Sequence, residues 1–210
     1  EAANTAGTLV ATWAVTVKDL PPEGELAIGG ELFVDLDAAD PSAGTPSWAN
    51  NGTLGDFTEV GDPAVVEIAG AKGVSFNTTA TVDSYQQPEA AAPAGIVGLN
   101  ATSTIEAWVY TESIPDEQTI LAWGTRGPND GNNMSFNYGT NGAYGAMGHW
   151  GWPDMGWKDA GGAPMAKQWH HMTYVFDGAT QFVTADGELW NSEYLGAGVL
   201  NIVTASKITL

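Results

Sequence analysis

Two Asp-Gly dipeptides in one short stretch constrain this chain more than any other feature. Residues 168–190 read QWHHMTYVFDGATQFVTADGELW, with runs of Tyr, Val, Phe and Thr broken at Asp177-Gly178 and Asp186-Gly187. β-Branched and aromatic side chains suit a pleated, half-buried surface. Asp-Gly supplies the positive φ that a tight hairpin turn requires. The stretch therefore predicts strand, turn, strand and a second turn. A hairpin is marginal by itself in water, so the rest of the chain must build sheets that cover Trp169, Tyr174, Phe176, Phe182 and Val183.

The remaining sequence offers such strands. Alternating or apolar runs predict strands at residues 31–37, 65–69, 73–76, 103–111, 119–123, 133–138 and 144–150, separated by Gly-, Asn-, Asp- and Pro-rich turns. Residues 85–94, rich in Gln, Pro and Ala, have room for one helical turn. Frequent short strands without an amphipathic helix predict an all-β fold, a two-sheet antiparallel β-sandwich or jelly roll. Residues 1–24 read as a lead-in strand (8–17) or linker closed by Pro21-Pro22, and residues 25–210 as one domain. The chain stops on a strand-like KITL at 207–210, so a closing strand is expected from beyond residue 210 or from another chain.

Charge narrows the partners. Lys+Arg number 6 against Asp+Glu 25, a formal net charge of −19. Such a chain cannot neutralise phosphates, which argues against nucleic acid and against anionic membrane surfaces. It favours divalent cations. The absence of cysteine removes disulfides, thiolate metal sites and cysteine nucleophiles. No run is long and apolar enough to enter a bilayer. No signal peptide is visible, and the opening EAANTAG reads as a trimmed start of an exported protein.

Three segments in order carry a family resemblance. Residues 169–178, WHHMTYVFDG, followed by Thr184-Ala185-Asp186-Gly187, resemble the W-x-H…D-G hairpin of laminin-G-like, concanavalin-A-like jelly rolls. Residues 103–110, STIEAWVY, resemble the F-S-I-E-A-W-V strand of those domains, and residues 32–40, LFVDLDAAD, the opening segment of bacterial members. Thr184-Ala185 departs from the bulkier pair usual in the family. The resemblance implies two packed antiparallel sheets, one concave, in a secreted or cell-surface module. Such modules bind glycans or proteins, often near calcium; hydrolases and lyases share the fold.

Candidate chemistry concentrates at residues 123–157, WGTRGPNDGNNMSFNYGTNGAYGAMGHWGWPDMGW. A sugar site needs flat aromatic faces for the apolar side of the ring and amides or charged groups for its hydroxyls. Trp150, Trp152 and Trp157, with His149, Asp154, Arg126 and Asn132, meet that requirement, and Asn129, Asp130 and Asn133 add polar groups. The competing reading places the tryptophans, Trp123 among them, in the core. Asp116, Asp130 and Asp154 are the candidate calcium ligands, with Glu117 and Asp177 as further carboxylates. Asp35, Asp37 and Asp40 match the spacing of a hydrolase E-x-D-x-x-E strand with Asp for each Glu, yet fit surface or turn roles better. Adjacent His170 and His171 face opposite sides of a strand and cannot chelate together; His171 is expected to order a buried hydrogen bond. The function expected is non-catalytic recognition of a glycan or cell-surface polymer. A self-associating surface-layer or filament block is the alternative, and a hydrolase or lyase the remote one.

Overall fold

The computed structural model describes residues 30–76, 82–127, 129–158, 160–203 and 206–210, with the backbone of residues 2–3 and 9–10. The chain divides into two compact units, Glu1–Leu32 and Phe33–Leu210. In the first, β1 (Ala2–Ala3) pairs antiparallel with β2 (Leu9–Val10). The rest of the strand expected at 8–17 lies outside the described residues.

The second unit is built from β3 (Ser47–Trp48), β4 (Phe57–Val60), β5 (Ala64–Ile68), β6 (Ala71–Ser75), β7 (Ser84–Gln86), β8 (Gly98–Leu99), β9 (Ser103–Val109), β10 (Thr119–Gly124), β11 (Asn133–Asn137), β12 (Met147–Gly148), β13 (His170–Phe176), β14 (Thr180–Ala185), β15 (Glu188–Tyr194) and β16 (Asn201–Ile202), with a 3-10 turn at Ala94–Ile96. The two Asp-Gly turns fall where the sequence places them. Asp186 and Gly187 take φ of 54° and 80°, the left-handed pair of a tight hairpin. The Asp177 carboxylate accepts the amides of Ala179 at 2.9 Å and Thr180 at 2.7 Å, closing the other turn.

Alternation along β13 sends His170, Met172, Tyr174 and Phe176 inward. This corrects the expectation for the histidine pair. His170, not His171, is buried, because it shares the face of Tyr174 and Phe176. Its Nδ1 lies 2.7 Å from Asp186 Oδ2 and its Nε2 2.8 Å from the Met165 carbonyl oxygen. His171 sits on the outer face with Glu106 at 3.5 Å.

Strands β15-β14-β13-β9 form one antiparallel sheet. Its pairing slips between Val183 and Thr184, so Asn191 opposes Val183 while Leu189 opposes Thr184. The extra residue turns Trp190 inward, edge-on to Trp157 at 6.2 Å. In the facing sheet, β3-β4-β7 and β10-β11-β12 are joined through residues 207–210. Thr209 bridges Gln86 on one side and Ala122 on the other. The strand-like KITL thus fills a gap inside the sheet. Phe136 of β11 meets Tyr174 of β13 with ring centres 6.4 Å apart, which marks the core between the layers.

Two expected strands and the expected helical turn differ. Residues 31–37 join no sheet; Phe33 and Asp35 instead hydrogen-bond to Leu54, Asn50 and Asn51 in an irregular loop. Residues 144–150 contribute only Met147–Gly148, and residues 85–94 begin in β7 and reach the 3-10 turn only at Ala94. The Asp37 and Asp40 carboxylates close local turns, accepting the amides of Ala39 and Ser42 at 2.8 Å each.

Candidate functional site

The loop after β12 separates its own aromatic residues by burial. Met147 and Met155 exchange backbone hydrogen bonds of 2.8 Å each, pinching the seven residues between them into a tight excursion. The Asp154 carboxylate closes it from within, accepting the amides of His149 and, at 3.1 Å, Gly151. The Asp154 amide returns 2.7 Å to the Gly151 carbonyl. Trp150 and Gly151 adopt positive φ, 68° and 87°. With the backbone turned this way, Trp150 and Trp152 stand out in solvent, 45% and 56% exposed.

Their neighbours turn inward. His149 is fully buried, with Nδ1 2.8 Å from the Asn133 carbonyl and Nε2 3.1 Å from Gln181 Oε1. Burial pushes its pKa down to about 4, against the opposing pull of those two hydrogen bonds. Trp157 is completely buried; its Nε1–H donates to the Asn137 carbonyl at 3.2 Å. Trp123 is buried likewise, donating to Ile96. Asn132 is buried and offers its carbonyl to the Thr125 amide at 3.1 Å. Of the expected ligand contacts, His149, Trp157 and Asn132 are therefore corrected to supports of the fold. A surface ligand cannot reach rings already packed in a dense interior.

Arg126 does lie at the exposed tryptophans. Its guanidinium carbon sits 5.2 Å from the centre of the Trp150 ring, a cation–π arrangement. Its Nη2 also lies 3.4 Å from Glu117 Oε1. Gly127 permits this packing, since a Cβ there would come 2.7 Å from Trp150 Nε1. Asp130 approaches the same turn: a Cβ on Gly151 would fall 2.5 Å from its carboxylate oxygen. The structure thus gathers Trp150, Trp152, Arg126, Glu117, Asp130 and Asp154. The partnership of Glu117 with Arg126 was not visible in sequence, because the two residues lie on either side of β10.

The carboxylates expected to hold calcium take part in separate local contacts. Among the described residues, no three His, Asp or Glu side chains gather as a metal-binding group. Asp116 receives the Thr140 hydroxyl at 3.4 Å, and Asp154 is occupied by loop amides. Burial raises the Asp154 pKa; the His149, Gly151 and Trp150 amides draw it back, and the Glu117 charge adds to the rise.

A sequence model for a laminin G domain of the concanavalin A-like lectin/glucanases superfamily matches residues 81–209. The chain belongs to the concanavalin A-like lectin/glucanase superfamily. A search among curated protein sequences finds no relative. Among solved structures, this concanavalin A-like domain is similar to domain 4 of AbnA, a GH43 extracellular arabinanase from Geobacillus stearothermophilus, in complex with arabinotriose. The likeness has a TM-score of 0.55 at 18% identity and covers 86% of this chain and 84% of that one. At such identity it is a likeness of fold. The matched family segment contains all of the Trp150–Trp152 patch, as well as β9 and the two Asp-Gly hairpins.

Proposed function

We propose that this domain is a non-catalytic carbohydrate-binding module of an exported protein, and that sugar stacks on the Trp150–Trp152 turn. The observation that carries this reading is the pair of half-exposed tryptophans on a loop braced by Asp154, with Arg126 held against one of them. Indole faces cover the apolar side of a sugar ring, and a braced backbone reduces the ordering cost of binding. The fold supports it too, since a structurally similar domain is described with arabinotriose. A glycan array probed with wild type and Trp152→Ala tests the reading. Binding that Trp152→Ala weakens about tenfold is expected, given the usual weight of an aromatic anchor. An array on which the wild type finds no glycan would overturn it.

A second reading has its own observation. Pairing registers place Trp108, Leu189 and Tyr194 on the outer face of the β15-β14-β13-β9 sheet, 68%, 61% and 76% exposed. Exposed apolar groups sharing one face suit association between copies. Sedimentation of the purified protein across concentrations distinguishes this, since a module that acts singly stays monomeric.

A further inference from the structure

We infer that the Trp150–Trp152 turn takes uncharged glycans and rejects uronate-bearing ones, with Glu117 and Asp130 setting that selectivity. The inference rests on the carbohydrate reading above and specifies its ligand class. A sugar carboxylate is recognised best by a guanidinium whose donor fork is free. At this turn one guanidinium nitrogen already faces a carboxylate. Glu117 Oε1 lies 3.4 Å from Arg126 Nη2, and the cation rests 5.2 Å over the Trp150 ring. Two more carboxylates surround the platform. Asp130 reaches the Gly151 backbone between the tryptophans, and Asp154 lies beneath the same turn.

The patch therefore sets one cation against three carboxylates, on a chain of net charge −19. Like charges within a Debye length, about 8 Å at physiological salt, repel an approaching polyanion. A neutral sugar meets none of this repulsion and keeps both the stacking surface and the carboxylate acceptors for its hydroxyls. Selectivity then arises from a repulsive element placed beside an unselective aromatic surface. Glu117 acts twice, by adding negative charge and by competing for one nitrogen of Arg126.

Affinity electrophoresis of the full chain through gels containing linear arabinan, xylan or polygalacturonate tests this, at 20 and 300 mM NaCl. The wild type should be retarded by a neutral polymer and not by polygalacturonate at low salt. The double variant Glu117→Gln, Asp130→Asn should shift the neutral-to-uronate ratio by about tenfold toward polygalacturonate, the weight of a freed charge-assisted pair. Thermal unfolding confirms that the variant folds, and Asp130→Asn alone, at an exposed position, should shift the ratio in the same direction. Wild type retarded equally by polygalacturonate and a neutral polymer overturns the selectivity while leaving carbohydrate binding intact. So does a folded double variant with an unchanged ratio. Retardation by no polymer of either kind overturns the carbohydrate reading itself, and this inference with it.

Discussion

His170 and Asp186 meet at 2.7 Å across the β13–β14 hairpin, and the other oxygen of the same carboxylate accepts the His171 amide at 3.0 Å. One side chain in a turn thus holds the mouth of the neighbouring strand pair. Burial pulls the Asp186 pKa up, but the hydrogen bonds from His170 and His171 prevail and leave it lowered. The carboxylate is half exposed, so solvent screens much of the charge interaction. Asp186→Asn should cost about 1 kcal/mol, mostly through the hydrogen bonds. Urea denaturation measures it, and an unchanged midpoint would count against the bracing role.

The tryptophans should divide cleanly between stability and binding. Trp157→Ala empties a core position between Phe136 and Trp190 and should cost about 3–5 kcal/mol. Trp152→Ala, on an exposed loop, should alter stability by no more than about 0.5 kcal/mol while weakening glycan binding. Paired thermal melts and binding isotherms on the two variants decide this. A Trp152→Ala protein that melts far below wild type would show that the exposed ring supports the fold.

Acid should weaken the domain through His149. Its pKa falls to about 4 in the fold from 6.5. Below pH 6.5 the unfolded chain takes up a proton that the folded one refuses, so stability declines as pH falls and levels off near pH 4. From pH 7 to pH 5 this one residue contributes a loss of about 2 kcal/mol. Asp154, whose pKa is raised chiefly by burial, works in the opposite direction at lower pH. Urea titrations at the two pH values, with His149→Gln as the comparison, read the difference; equal slopes in both proteins would refute the assignment.

Gly73 makes room for an aromatic ring. A Cβ there would approach Trp169 Cη2 to 2.7 Å, while Trp169 Nε1–H donates to the Ile68 carbonyl at 2.9 Å. The indole thereby pins the β5–β6 hairpin. Gly73→Ala should displace it at a cost of about 1–3 kcal/mol, as overpacking does. Limited proteolysis should show faster cleavage within residues 64–75, and unaltered protection would argue against the pin.

The sequence was most legible where structure is local. Asp177-Gly178 and Asp186-Gly187 carry their own turn chemistry, and the alternation of STIEAWV fits one strand with Ile105 inward. Legibility failed where burial depends on distant partners. Nothing local separates Trp150 from Trp157 among the surrounding glycines; the Met147–Met155 pinch does so by reversing the backbone between them. His170 and His171 were separable in principle, since Tyr174 and Phe176 mark the inward parity of their strand. The exposed patch around Trp150 was half visible. Arg126, Trp150 and Trp152 were named from composition, whereas Glu117, read there as a carboxylate for calcium, joins the patch only through its contact with Arg126.

The segment at residues 207–210 also sets a timetable. Tyr85 and Leu210 exchange backbone hydrogen bonds of 3.1 and 2.9 Å, although more than half the chain lies between them. During synthesis, the seam between β7 and β10 stays open until residue 210 has cleared the ribosome. The Asp-Gly hairpins, being local, can form beforehand. The nascent domain therefore passes through a stage with two unpaired strand edges facing each other, which is when a chaperone or a stray β-edge would find it most receptive.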